Sequence, residues 1–302
     1  MRTSLERLLE EAIDYAGQFP PAKLDLVPAL DEYQRLRKGP EKWIVGRFVC
    51  AAHRLEALAA ALPATVEDTE VAVVASGVAT SRAEWEEILE RDARLLNKFI
   101  QETPERVDVA TYEVRLPDVA GIERYIRDLN GFRDVEVYAE IPVEDDIAEA
   151  LAAIADSQWL NAKLRTGGLD ANAFPDAWKL AGFVLGCLDL DIPFKLTAGL
   201  HHPLPTWDEP TQATHHGFLN VFVGAAIAQG NDLSQREFER ILLDADPRSW
   251  SFEDDGLAWH DQEASLEDIE EMRAVLRAFG SCSVHEPLDG LKAIGLMGHS
   301  VV

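Results

Sequence analysis

Lysine is scarce in this chain. Only eight of its 302 residues are lysine, and two of them, Lys163 and Lys195, lie in strand-like segments that run into glycines. The segment 192–203 reads I-P-F-K-L-T-A-G-L-H-H-P, and 160–168 reads L-N-A-K-L-R-T-G-G. A buried ammonium is costly unless it is paired or put to use. A lysine so placed suits carbonyl chemistry, as a Schiff-base former or as a general base with a lowered pKa. The expectation is that Lys195 is the catalytic lysine, its pKa lowered by burial and by Lys163 or Arg165 nearby.

Successive side chains of a strand point to opposite faces. Glu136, Tyr138 and Glu140 then share one face of their strand, Glu113 lies with Arg115, Lys163 with Arg165, Lys195 with Thr197, and Arg47 with Val45 and Val49. The opposite faces are apolar and suit packing on helices. The charged faces therefore point inward, where ionisable groups cluster as they do at functional sites. Lys195, Glu140, Lys163 and Glu113 are the candidate catalytic residues. Arg165, Thr197, Arg47 and Arg115 are candidates for binding an anionic substrate, Arg through its bidentate fit to carboxylate or phosphate.

The loops after these strands add further candidates. Gly167 and Gly168 offer backbone N–H groups to an anion. His202 and His215 suit proton transfer or the shaping of the site. Ser281 and Ser283, in G-S-C-S-V-H-E-P (280–287), suit a phosphate site at the end of the last strand. His201, His202 and His215 with a carboxylate form an alternative metal set, although no H-E-x-x-H or H-x-H pattern is present. No cofactor is otherwise implied, and a metal ion is left open.

The elements that must position these groups alternate regularly. Strands are expected over Trp43–Ala51, Glu70–Ser76, Val107–Leu116, Asp134–Ile141, Leu160–Arg165, Pro193–Ala198, Trp250–Trp259 and Ser281–Val284, with helices between them. Residues 3–16 place Leu5, Leu8, Leu9 and Ile13 on one helical face. An α/β fold follows: a single (β/α)8 TIM-type barrel over 1–302, of which 1–40 is an N-terminal helical extension. The alternative is an open doubly wound sheet, although no G-x-G-x-x-G follows an early strand.

Composition narrows the partners. The formal charge of −26 opposes nucleic acid and anionic membranes. No run of about 18 apolar residues predicts a membrane span. The N-terminal stretch lacks the apolar core of a signal peptide, so a cytoplasmic protein is expected. Three scattered cysteines suggest no disulfide framework. The expected partner is a small anionic metabolite, and a homo-oligomer is left open.

The motifs K-L-R-T-G-G (163–168), F-K-L-T-A-G-L-H-H-P (194–203), H-G-F-L-N (216–220) and G-S-C-S-V-H-E-P (280–287) together resemble an uncharacterised bacterial protein family. The resemblance spans nearly the whole chain and implies a common fold and site without supplying a reaction. More distantly, a strand-six lysine followed by T-A-G is similar to the class I aldolase barrels, which use a strand-six Schiff-base lysine. That resemblance implies the role for Lys195, while His201, His202 and Arg165 depart from the aldolase pattern. Three readings follow: a lysine-dependent lyase, aldolase or isomerase; a metal-dependent hydrolase or isomerase using the loop histidines; and a non-catalytic metabolite-binding protein.

Overall fold

Eight parallel strands close on themselves, each hydrogen-bonded to its neighbours in sequence and the last to the first. In the computed structural model, which describes residues 3–62, 69–103 and 107–297, these are β1 (Ile13–Tyr15), β2 (Val45–Ala51), β3 (Thr69–Val74), β4 (Val107–Arg115), β5 (Glu136–Ile141), β6 (Asn161–Arg165), β7 (Phe194–Thr197) and β8 (Leu276–Ser281). Helices follow the strands and ring the barrel, as in a (β/α)8 TIM-type fold. Closure of the sheet removes the open doubly wound alternative.

The outward strand faces are apolar because helices cover them. Phe48 packs on Tyr33 of helix Leu26–Lys38, and Phe194 meets Phe183 of helix Ala177–Asp189 edge-on. Tyr112 of β4 donates its hydroxyl to buried Asp92 of helix Arg82–Glu102, and Asp92 also accepts the backbone N–H of Ser76 after β3. Side-chain caps start several helices, with Asp176 accepting from the Lys179 N–H and Asp146 from the Glu149 N–H.

Three sequence expectations are corrected. The segment 1–40 is not an extension of the barrel. Its helix ends at Leu9, and Ile13–Tyr15, expected to be helical, forms β1 between β2 and β8. The helical spacing of Leu5, Leu8, Leu9 and Ile13 masked a change of element, because all four are buried whichever element carries them. The expected seventh strand, Trp250–Trp259, lies outside the barrel. It supplies two strands of a three-stranded antiparallel sheet, Trp250–Phe252, Gly256–Trp259 and Gln262–Ser265, which packs on helices Thr3–Leu9 and Phe218–Gly230. The last barrel strand begins at Leu276 rather than Ser281. The strand numbers therefore shift by one: Lys163 stands on β6, and Lys195 on β7.

The connection from β7 to helix Phe218–Gly230 contains its own hairpin, Thr206–Asp208 paired with Ala213–His215. Among the described residues no helix is long and apolar enough to cross a membrane.

Candidate functional site

A cavity of about 600 Å³ opens at the C-terminal ends of the strands, where barrel active sites lie. Its floor is Asp14, Glu113, Lys163 and Lys195, and its walls come from the loops after β1, β6, β7 and β8.

The floor is a chain of alternating charges. Lys195 Nζ lies 2.5 Å from Asp14 Oδ2 and donates to Glu113 Oε1. Glu113 Oε2 lies 2.9 Å from Lys163 Nζ, which is 3.1 Å from Glu140 Oε2. Glu140 Oε1 accepts from Arg165 Nε at 3.2 Å. Three carboxylates and three cations thus balance, on strands β1, β4, β5, β6 and β7. Strand register produces this directly, since Lys163 is the partner of Lys195 across β6 and β7 and of Glu140 across β5 and β6. The ring of Tyr138 lies 5.3 Å from Lys195 Nζ.

Burial disfavours every charge here, but the partners outweigh it. Burial raises the pKa of Glu113, yet Lys163 and Lys195 hold it down at about 2. Burial likewise raises that of Glu140, and Lys163 and Arg165 pull it below the usual carboxylate value. Burial lowers the pKa of Lys195, but Asp14 and Glu113 carry it above the ordinary lysine value. Lys163 is also raised against its burial, by Glu113 and Glu140, while Arg165 opposes them. The expectation of a lowered pKa at Lys195 is therefore corrected: its partners are carboxylates, and it rests as an ammonium.

The remaining sequence candidates divide between the cavity and elsewhere. Arg165, Gly168, Thr197 and His215 line the cavity. His215 stacks on Phe174, contacts Thr211 Oγ1 at 3.1 Å, and has its pKa lowered by burial, against the pull of Asp208. Arg47 is corrected: it points to the opposite end of the barrel, pairs with Glu70 at 3.0 Å, and borders a wide polar depression there. Arg115 pairs with Glu144 at 2.9 Å and is not part of the cavity lining. His202 is exposed, and its neighbour His201 lines the cavity instead, 2.9 Å from Glu286.

Neither Ser281 nor Ser283 lines the cavity. Ser281 Oγ donates to the Ser283 carbonyl, and Ser283 Oγ accepts the Glu286 N–H, so both stabilise the turn into helix His285–Ala293. Gly167 is packed against Gly199, and a Cβ on Gly167 would stand 2.6 Å from Gly199 Cα, so this glycine serves close loop packing. The alternative metal set does not assemble. Among the described residues no group of three His, Cys, Asp or Glu side chains could hold a metal ion. His216 is structural, its Nε2 donating to the Pro175 carbonyl at 2.7 Å.

One floor residue, Asp14, and one neighbour of Lys195, Tyr138, escaped the sequence reading. Asp14 was hidden inside the expected helix 3–16. The available signal was A-I-D-Y-A-G, a short strand-like run ending at Gly17. Tyr138 shared a face with Glu140 but carries no charge.

The fold and this site define a (β/α)8 barrel with an ionised interior open at its C-terminal mouth. No known family model and no curated protein matches the chain.

Proposed function

We propose that the protein is a lysine-dependent barrel enzyme of the lyase, aldolase or isomerase type, acting on a small anionic carbonyl metabolite, with Lys163 as the reactive lysine. The observation carrying this reading is the pair Lys163 and Lys195, adjacent in register, sharing Glu113, and forming the floor of a cavity at the catalytic end of the barrel. With β1 counted, the strand-six position that the aldolase resemblance calls for falls to Lys163 rather than Lys195. Electrostatics favours the same choice. Each lysine is held by two carboxylates, but Arg165 opposes the charge on Lys163, whereas Lys195 has the Tyr138 ring beside it instead. Lys163 also rests as an ammonium between Glu113 and Glu140, so it becomes nucleophilic only after giving up a proton.

The chemistry balances within the floor. Glu140 accepts a proton from the Lys163 ammonium across the 3.1 Å contact. The free amine attacks the substrate carbonyl carbon, and one proton shifts from the nitrogen to the oxygen to give the neutral carbinolamine. Glu140 then returns the proton to the carbinolamine oxygen, which leaves as water, and a protonated imine remains. Glu113, held near pKa 2, stays ionised and orients both lysines.

Borohydride reduction with a panel of aldehydes, ketones and 2-oxo acids, followed by peptide mass mapping, tests this. An adduct at Lys163 that disappears in Lys163→Met is expected. Absence of any adduct at Lys163 or Lys195 across the panel sinks the covalent reading. The complete pairing of all six charges favours one second reading, a metabolite-binding protein whose ion network is structural. In that case Lys163→Met changes affinity and no turnover exists to lose.

A further inference from the structure

Lys163 and Arg165 occupy same-face positions of β6 and grip the two oxygens of one carboxylate: Lys163 Nζ on Glu140 Oε2 and Arg165 Nε on Oε1. Their heads are therefore about one carboxylate apart. Arg165 differs from the other cations of the floor in being 40% exposed, against 4% for Lys163 and 2% for Lys195. The terminal guanidinium nitrogens of Arg165 donate no hydrogen bond among the described residues, while Lys163 and Lys195 each hold two carboxylates.

The walls are mostly apolar, with His201, His215, Asp208, Thr197 and Thr211 among them. Phe19, Pro21, Val49, Val74, Phe174 and Leu196 face the cavity. Its volume of about 600 Å³ is that of a small-molecule site. Ser281 and Ser283, which would suit a phosphate, do not line the cavity, and Ser281 Oγ donates within its own turn. A phosphate brings close to two negative charges into a site with one guanidinium face open, inside a protein of formal charge −26. One carboxylate matches that single fork in charge and in geometry.

From this placement, and resting on the lysine reading above, we infer that the substrate is a 2-oxo monocarboxylate with a branched or aromatic apolar side chain. Its carboxylate sits on Arg165, its adjacent carbonyl carbon meets Lys163, and its side chain lies against Phe19, Pro21 and Phe174. A phosphorylated sugar has neither the single charge nor the apolar body that this cavity accepts.

The test uses three probes with the full-length protein and borohydride: phenylpyruvate, phenylacetaldehyde and glyceraldehyde 3-phosphate. Half-maximal labelling of Lys163 should need at least about ten-fold less phenylpyruvate than glyceraldehyde 3-phosphate, a factor of ten being about 1.4 kcal/mol. Arg165→Met should erase the advantage of phenylpyruvate over phenylacetaldehyde, read as the ratio of their half-maximal concentrations in that variant. Equal or better labelling by glyceraldehyde 3-phosphate overturns the inference, as does an Arg165→Met variant that keeps the preference for phenylpyruvate. If that variant does not fold, the order of the three probes on the unaltered protein still decides. If no probe labels either lysine, the lysine chemistry fails, and thermal stabilisation by phenylpyruvate without borohydride decides the ligand class separately. A shift exceeding that with glyceraldehyde 3-phosphate upholds the class, and its absence overturns it.

Discussion

At the scale of single residues, the interior is a row of charges that are costly alone and tolerable together. Removing one partner from such a row leaves an uncompensated buried charge, which costs about 3–5 kcal/mol. Lys195→Met strands Asp14 Oδ2 and one oxygen of Glu113. It should lower stability by about that amount, and adding Asp14→Asn should restore part of the loss. Urea denaturation of the two single variants and the double variant checks this. Purely additive effects would mean that the 2.5 Å contact carries no coupling. The pH dependence has two limbs. Glu113 has its folded pKa depressed to about 2, so its contribution is full above the ordinary carboxylate value and is lost as pH falls through about 2. Both lysines have raised folded pKa values, so their contribution is full below the ordinary lysine value of 10.5 and is lost as pH rises through the raised values. The urea midpoint should be flat between about pH 5 and pH 10 and fall on both sides. Glu113→Gln should lower the plateau and make the fall between pH 5 and pH 2 shallower. An unchanged acid limb in that variant would remove Glu113 from the account.

At the scale of elements, the site depends on the two glycine turns that end β6 and β7. Gly199 has φ +78° and lies under the Thr166 carbonyl, 2.5 Å from where a Cβ would stand. Gly295, after the last helix, has φ +79° with nothing within 4 Å. Both substitutions to alanine incur the left-handed backbone cost of about 1–2 kcal/mol, but only Gly199→Ala also forces Thr166 and Gly167 aside. Thermal denaturation should show Gly199→Ala as clearly the more damaging, and its labelling at Lys163 should fall while that of Gly295→Ala does not. Equal losses would show that the packing of the two turns is irrelevant to the site. Much of this layer was legible in the sequence. The two-residue alternation of β4 to β7 separates Tyr112 from Glu113 and Leu164 from Lys163, because helices cover one face and the barrel interior takes the other. Three features were not legible. β1 is three residues long, and its flanking leucines fit a helix equally well. The stretch M-R-A-V-L-R-A-F reads as one helix, although β8 begins at Leu276. The loop residues His202, Ser281 and Ser283 have suitable chemistry, but their orientation is set by turns that no periodicity encodes.

At the scale of the whole molecule, a locally neutral interior sits within a strongly acidic surface. The chain carries 54 acidic and 28 basic residues, so repulsion among exposed carboxylates opposes compaction. Salt screens exposed charges over a Debye length of about 10 Å at 0.1 M, and screens buried pairs much less. The floor of the cavity is at most 5% exposed at Asp14, Glu113, Glu140, Lys163 and Lys195, so its pairs persist as salt rises. Exposed pairs such as Lys98 with Glu56 weaken, but solvent-exposed pairs contribute little to stability. The acidic excess, acting over the whole surface, outweighs them. The melting temperature should therefore rise by several degrees between 20 mM and 500 mM sodium chloride, and potassium chloride should act alike because the effect is screening rather than binding of a particular ion. The Glu113→Gln variant should gain as much as the unaltered protein, since its lesion lies where salt does not reach. A melting temperature that falls with salt would place the dominant electrostatics in the exposed ion pairs instead. A gain confined to the unaltered protein would trace it to the buried charges.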